Sequence, residues 1–149
     1  MIVDPKSRFF QMHFQGFQER LAVDRAELDL WAVMMLAASF EALVRIDMSS
    51  RVRSRTKDAI RRPFRALEEK FKGRVRFEDL IEVWENEVTV GATVRHEVRR
   101  LLFGHRHWLA HGRYWTNKLG RLPSPNEAHA SFSDYVADIQ AKMADFPLP

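Results

Sequence analysis

The sequence contains no cysteine among its 149 residues. This absence excludes disulfide bonds, thiolate metal ligands and cysteine nucleophiles. Long hydrophobic runs are also missing, since the longest apolar stretch, residues 30–40, is shorter than the ~20 residues that a membrane-spanning helix needs. The first residues lack the charged-then-apolar pattern of a signal peptide. We therefore expect no membrane segment and a cytoplasmic location.

Basic residues outnumber acidic ones, with 24 Lys and Arg against 20 Asp and Glu and a net charge of +4. A basic protein of this size favours polyanionic partners, nucleic acid first. Part of the excess lies between Arg51 and Arg65, where Asp58 is the only acidic residue. This segment is either a solvated helix face or a phosphate-contacting surface. On the second interpretation, Arg51, Arg55 and Arg62 are candidate RNA-binding residues.

Helical spacing of apolar residues dominates the chain, and no convincing alternating pattern predicts a strand. Asp24 followed by Glu27 resembles a capping box, which predicts that a new helix begins there. Pro63 either kinks the third helical stretch or opens a new helix. The sequence predicts one all-α domain over residues 1–149, a bundle of four to six helices, with helical stretches at 6–22, 24–48, 60–73, 78–87, 90–112 (beginning at Val90 or Thr93) and 133–145.

Four of the six histidines, at 96, 105, 107 and 111, lie on the predicted helix that ends at Gly112. At about 100° per residue, His107 and His111 lie on one face of that helix. The apolar row that contains His105 and Trp108 lies elsewhere and is predicted to point into the core. His107 and His111 are therefore expected to be accessible for proton transfer.

The segment Arg106-His107-x-x-Ala110-His111-Gly112 resembles the Arg-polar-x-x-x-His signature of the HEPN superfamily (higher eukaryote and prokaryote nucleotide-binding domains). The resemblance is specific around residues 100–115 and only architectural elsewhere. Members are helical bundles, commonly homodimers, and many are metal-independent ribonucleases. The resemblance implies an endoribonuclease that acts on RNA without cofactor or metal, with two motif copies meeting across a dimer. It also implies a role as a toxin or in phage defence, with an antitoxin protein as partner.

The residue types suit RNA cleavage without metal. Histidine can take a proton from a 2′-hydroxyl and return one to the leaving 5′-oxygen, and arginine can bind the phosphate as its charge grows. Arg106 and His111 are the primary catalytic candidates, with His107 in support. Because they are five residues apart, Arg106 and His111 diverge by roughly 140° on an unbroken helix. Their convergence needs a distorted helix, a bent arginine side chain or a second subunit.

Two further residues are candidates for a supporting role. Glu41 interrupts an apolar helix, and it either pairs with Arg45 one turn later or orients Arg106 or a motif histidine. Tyr114 follows His111 by three residues, whereas relatives paired with a nucleotidyltransferase antitoxin carry a tyrosine two residues after the histidine. Arg113 holds that position here, which argues against regulation by tyrosine modification. Arg100 and Arg113 are further candidate RNA-binding residues.

Other functions compete with the nuclease. His107 and His111 have the spacing of a zinc-binding pair, but the motif holds no carboxylate or cysteine to complete a metal site. A HEPN-like bundle can also be catalytically inactive and bind RNA or nucleotide, or serve as a dimerisation module. A DNA-binding regulator would need a recognition helix, and the sequence shows no clear one. Trp108 is interpreted as a core residue, and Trp115 as a more open ring able to stack on an unpaired base.

Overall fold

A computed structural model describes residues 13–54, 59–88, 90–111, 118 and 120–142. All regular structure in these ranges is helical, which confirms the predicted all-α class. No helix within them is long and apolar enough to cross a membrane. The elements are α1 (Phe14–Arg53), α2 (Arg61–Phe71), α3 (Phe77–Glu87), α4 (Ala92–Arg99), a π-helix (Arg100–His105), α5 (Arg106–Ala110) and α6 (Pro125–Lys142).

The helix α1 is continuous over 40 residues, so the prediction of two helices separated near Asp24 is wrong. Asp24 lies inside the helix and forms an ion pair with Arg20, one turn earlier. The distance from Arg20 Nε to Asp24 Oδ1 is 3.2 Å. The local capping pattern is overridden because neither proline nor glycine interrupts the helical sequence after Gly16. The predicted start at Lys6 lies outside the described residues.

The core is built where the second half of α1 packs against α2, α3 and α6. Phe40 joins three of these helices. Its ring stacks on Phe132 at 4.7 Å and meets the edges of Trp84 at 6.3 Å and Tyr135 at 5.6 Å. Aromatic pairs of this geometry each contribute about 0.5–1.5 kcal/mol beyond area burial. This cluster fixes α3 and α6 on one side of α1 and leaves the other side for α5.

A charged pair is enclosed in this core. Arg51 Nε donates to Asp47 Oδ1 at 2.7 Å, and Trp84 Nε1 donates to Asp47 Oδ2 at 3.0 Å. Arg51 and Asp47 are each only 1% exposed. The prediction that Arg51 contacts RNA is therefore wrong, because its guanidinium is paired inside the bundle. Of the other two candidates in that segment, Arg62 is exposed on α2 and Arg55 lies outside the described residues.

The shorter helices begin and end at recognisable signals. Pro63 lies in the first turn of α2, where a missing N–H costs nothing, and Gly73, with φ 79°, follows the end of that helix as expected. The helix α6 begins at Pro125, well before the predicted Ser133. A capping box explains the earlier start, because Glu127 accepts from the Ser124 N–H at 2.7 Å and the Ser124 hydroxyl accepts from the Glu127 N–H at 3.3 Å.

Candidate functional site: an arginine–histidine groove

The helical run that carries the motif changes its winding immediately before Arg106. The π-helix Arg100–His105 separates α4 from α5, and the Arg106 N–H donates to the carbonyl of Leu101, five residues earlier. Such π segments are rare and often occur at functional sites. The motif itself, from Arg106 to Ala110, is ordinary α-helix, so the π segment reorients the motif relative to α4 and does not change the angle between Arg106 and His111.

His107 and His111 lie against each other at the end of this run. Their ring centroids are 4.3 Å apart with 57° between the ring planes, which confirms the predicted common face. His111 ends α5, with φ −91° and ψ 20°, and its N–H donates to the carbonyl of His107 at 3.1 Å. This is the bridge region of backbone conformation, where many active-site residues occur. Both side chains are exposed.

Arg106 reaches across to α1. Its Nη2 lies 2.6 Å from Glu41 Oε2, while Glu41 Oε1 lies 2.7 Å from Arg45 Nη2. The sequence offered Arg45 and Arg106 as alternative partners of Glu41. The Glu41 carboxylate contacts both, one through each of its oxygens. The Glu41 side chain is 16% exposed and that of Arg106 is 35% exposed. The ion pair therefore lies at the rim of the bundle rather than inside it.

A groove of about 280 Å³ brings the motif side chains together, although Arg106 and His111 are five residues apart. We call it the Arg/His groove. The same groove contains a carboxylate that the sequence did not predict, Glu78, from the first turn of α3. Its lining residues are Phe77, Glu78, Leu102, Phe103, Arg106, His107, Ala110 and His111.

Two aromatic rings form part of the wall of the Arg/His groove, and two further guanidinium groups contact these rings. Phe77 and Phe103 contact each other with centroids 5.9 Å apart. Arg45 lies 5.9 Å from the Phe77 centroid and Arg99 lies 5.5 Å from the Phe103 centroid, both within cation–π range. Each of these guanidinium groups has a carboxylate partner, because Arg45 shares Glu41 with Arg106, and Arg99 Nη1 lies 2.6 Å from Glu85 Oε2. With Glu78 also in the groove, the arginine charges are offset by carboxylates.

His105 differs from the other two histidines because it is fully buried, as the apolar row predicts. Burial lowers its pKa below the usual value, and the nearby Arg100 guanidinium lowers it further. Neither ring nitrogen has a hydrogen-bond partner among the described residues. His105 is therefore a neutral core residue, and its ring has no access to a ligand in the groove.

Other predicted residues do not join the groove. Arg100 is half-buried, pairs with Glu97 at 2.7 Å, and lines a separate cavity of about 410 Å³. Trp108 is half-buried, less enclosed than a core residue. No three metal-ligating side chains cluster closely enough to hold an ion within the described residues. The candidates Arg113, Tyr114 and Trp115 lie outside those residues, as does Gly112.

Comparisons of the chain with models of protein families, with curated proteins and with solved structures found no match.

Proposed function

We propose that this chain is a metal-independent endoribonuclease of the HEPN type, with Arg106, His107 and His111 as its catalytic residues. One observation carries the proposal: an arginine and a pair of contacting histidines open onto a single groove. These groups supply the three requirements of RNA cleavage without metal, a base, an acid and a permanent positive charge.

The reaction is an internal transesterification. One histidine takes the proton of the 2′-hydroxyl, the 2′-oxygen forms a bond to phosphorus, and the bond from phosphorus to the 5′-oxygen breaks. The other histidine donates a proton to that oxygen, giving a 2′,3′-cyclic phosphate and a 5′-hydroxyl. The rings of His107 and His111 have centroids 4.3 Å apart and line the same groove, so both can reach one phosphodiester. His107 and His111 can therefore divide the acid and base roles.

Arg106 is the proposed phosphate ligand. A guanidinium carries five N–H donors in a fixed plane, so it can engage a carboxylate on one edge and a phosphate on another. The contact of 2.6 Å between Arg106 and Glu41 fixes the orientation of that plane. Glu41 is thus a proposed positioning residue that acts through Arg106.

The biological setting follows from the family resemblance. We propose that the enzyme acts in the cytoplasm as a homodimer, as a toxin or a phage-defence component that an antitoxin protein restrains. The net charge of +4 supports RNA as the substrate, because a basic protein of this size favours polyanionic partners.

An inactive RNA-binding or dimerisation module is the second candidate function. The ion pair of Arg106 with Glu41 supports it, because a carboxylate at 2.6 Å offsets the charge that a phosphate would otherwise meet. An inactive module would bind RNA through the same groove without cleaving it.

A cleavage assay in EDTA tests the proposal. Pure protein is incubated with end-labelled RNA and with DNA of the same sequence, beside the variants His111→Ala and Arg106→Ala. His96→Ala serves as the matched control, because His96 is exposed on α4 and outside the groove. We expect cleavage of RNA only, about 10²-fold slower or worse in the two groove variants, and unchanged in the control.

Three results would contradict either the nuclease activity or the residues assigned to it. Equal cleavage after both groove substitutions shows that other residues do the chemistry. Binding of RNA without cleavage supports the inactive module instead. A preference for duplex DNA supports a DNA-binding regulator. Circular dichroism of each variant establishes that loss of activity is not loss of fold.

A further inference from the structure

The first half of α1 carries a tryptophan that the bundle leaves exposed to solvent. Trp31 is 60% exposed, although Val33, two residues later, is buried in the core. Trp31 borders a cavity of about 340 Å³ between α1 and α5, a volume within the range of small-molecule sites, roughly 300–1,000 Å³. We call it the Trp31 cavity. Its lining residues are Glu27, Leu30, Trp31, Met34, Leu109 and Ala110.

The lining of the Trp31 cavity is apolar apart from one carboxylate. Glu27 precedes Trp31 by four residues, so the two side chains lie one above the other on the same face of α1. A carboxylate can accept up to about four hydrogen bonds, so Glu27 can accept from a ligand in addition to its contacts within the chain. None of the described residues that line the cavity is basic. The cavity therefore suits a flat apolar group with N–H donors at its edge, and it offers no cation to a phosphate.

The Trp31 cavity adjoins the Arg/His groove. Ala110 lines both, and this residue is exposed on α5. The groove supplies Arg106, which can bind an anion, and the cavity supplies an indole ring beside a carboxylate. A molecule that spans both would carry an anionic group at one end and a flat ring with N–H donors at the other. A nucleotide has these two parts, a phosphate and a base.

We propose that the Trp31 cavity binds one unpaired base of the RNA substrate, next to the cleaved phosphodiester, and that it prefers guanine. The base stacks on the Trp31 indole, and the Glu27 carboxylate accepts hydrogen bonds from the edge of the base. This inference deepens the proposed function, and its statement about the cleaved bond rests on that function. The binding of the base rests on the cavity alone.

The chemistry of a carboxylate explains the preference for guanine. A carboxylate only accepts hydrogen bonds, and guanine presents two adjacent N–H groups on its Watson–Crick edge, one for each carboxylate oxygen. Adenine and cytosine present an amino group next to an acceptor nitrogen. Uracil presents its single N–H between two carbonyl oxygens, which the carboxylate repels. The expected order therefore begins with guanine and ends with uracil.

Equilibrium binding of oligonucleotides that cannot be cleaved tests the cavity without catalysis. The probes are labelled 2′-O-methyl hexanucleotides of uridine with guanosine, inosine or uridine at one position, and inosine lacks only the 2-amino group of guanosine. Fluorescence anisotropy is measured at one fixed salt concentration, because affinity for nucleic acid depends on salt. We expect the guanosine probe to bind most tightly, the inosine probe about tenfold more weakly, and the uridine probe most weakly. Equal affinity for all three would overturn the proposal.

The variant Glu27→Gln tests the role of the carboxylate. We expect its preference for guanosine over inosine to fall to about twofold or less, because an amide offers a single acceptor oxygen. Glu19→Gln is the matched control, since Glu19 is exposed on α1 and outside the cavity, and it should retain the full preference. A full preference in Glu27→Gln would show that the carboxylate does not read the base.

Two variants of Trp31 separate stacking from apolar contact. Trp31→Phe keeps an aromatic face, whereas Trp31→Leu keeps only an apolar side chain. We expect Trp31→Leu to bind the guanosine probe about tenfold more weakly and Trp31→Phe to retain most of the affinity. Leu28→Ala, at another exposed apolar position of α1 outside the cavity, should bind as the unmodified chain does. Circular dichroism checks the fold of each variant, and equal affinity of the phenylalanine and leucine variants would contradict stacking on the indole.

The failure of this inference and the failure of the proposed function are distinguishable. Binding of the 2′-O-methyl probes does not depend on proton transfer, so we expect His111→Ala to retain the preference for guanosine. A preference for guanosine in a chain that cuts no RNA refutes the nuclease and retains the base site. Cleavage that is independent of the bases around the cut, with equal affinity for the three probes, refutes the base site and retains the nuclease.

Discussion

Two carboxylates on α1, Asp47 and Glu41, each hold an arginine, and they lie in opposite environments. Asp47 binds Arg51 and the indole of Trp84 where all three side chains are buried. Glu41 binds Arg45 and Arg106 at the rim, where the Arg106 side chain remains 35% exposed. A carboxylate–guanidinium ion pair thus lies inside the core in one place and beside an open groove in the other.

The position on the helix decides between these outcomes. Residues 41 and 47 are six apart, so their side chains leave α1 about 240° apart, measured in one sense around the axis. Asp47 faces α3, whose Trp84 donates a hydrogen bond to its Oδ2. Glu41 faces α5, whose arginine also lines the Arg/His groove. The face of α1 that carries the carboxylate therefore decides whether its ion pair lies in the core or beside the groove.

The largest predicted effect is the loss of stability when the buried Asp47–Arg51 pair is broken. Asp47→Asn removes a buried carboxylate to which Arg51 and Trp84 both donate, and breaking a buried ion pair by changing one partner costs about 3–5 kcal/mol. The free energy of unfolding, measured by urea denaturation, should fall by that amount.

The double variant Asp47→Leu with Arg51→Met is the control, because it removes both charges and restores most of the stability. A loss of less than about 1 kcal/mol in Asp47→Asn, the value typical of a surface pair, would show that the two carboxylates do not differ as described.

The second prediction concerns the Glu41–Arg106 pair at the rim, where we expect a smaller effect on stability and a loss of activity. Glu41→Gln should change the free energy of unfolding by less than about 1 kcal/mol, because the ion pair is partly solvated. We expect kcat for RNA cleavage to fall about tenfold, equivalent to about 1.4 kcal/mol of barrier, because Arg106 loses its fixed orientation. KM should change little.

Glu69→Gln is the matched control, since Glu69 is exposed on α2 and outside the groove. If Glu41→Gln destabilises the fold as strongly as Asp47→Asn, Glu41 belongs to the core and its positioning role is wrong.

The smallest predicted effect is on the pH dependence of stability, and it compares the buried His105 with the exposed His96. The pKa of His105 is lowered by burial and then by Arg100, so the folded state resists its protonation. As pH falls below the usual histidine value of 6.5, the unfolded chain binds a proton that the folded chain does not, and stability decreases. Above that pH the group is neutral in both states and contributes no pH dependence. The slope from one such group is at most about 1.4 kcal/mol per pH unit.

Urea denaturation at pH 7.5, 6.5 and 5.5 measures this dependence. His105→Leu should lose part of the decrease in stability between pH 6.5 and 5.5, whereas His96→Gln, at an exposed position, should retain it. Equal pH dependence in His105→Leu and the unmodified chain would mean that the buried ring is not the group responsible.

Features that depend on neighbouring residues in the sequence were predictable. The common face of His107 and His111 follows from their spacing of four, and the apolar rows of α2 and α3 follow from helical periodicity. Competing local signals caused the errors in helix boundaries. The capping pattern at Asp24 lost to a continuing helix, and the prolines before α6 marked the start of a helix rather than a loop alone.

Features that depend on tertiary contacts were not predictable from one sequence. Glu78 enters the Arg/His groove because α3 lies beside α5, and Arg51 is buried because Trp84 closes over Asp47. The π-helix before Arg106 has no local sequence signal comparable to a cap or a proline. These contacts determine where the motif side chains lie, so the residues of the site could be chosen from the sequence but their arrangement could not.

The most direct test of the proposed chemistry is the cleavage of an RNA oligonucleotide that carries a single 2′-deoxynucleotide at the mapped cleavage position. In EDTA, the unmodified RNA should give a 2′,3′-cyclic phosphate and a 5′-hydroxyl end. The substituted RNA should remain intact at that position, because it lacks the attacking oxygen. Cleavage of the substituted RNA at an equal rate, or an absolute requirement for a divalent metal ion, would contradict the assignment of Arg106, His107 and His111 as a metal-independent ribonuclease site.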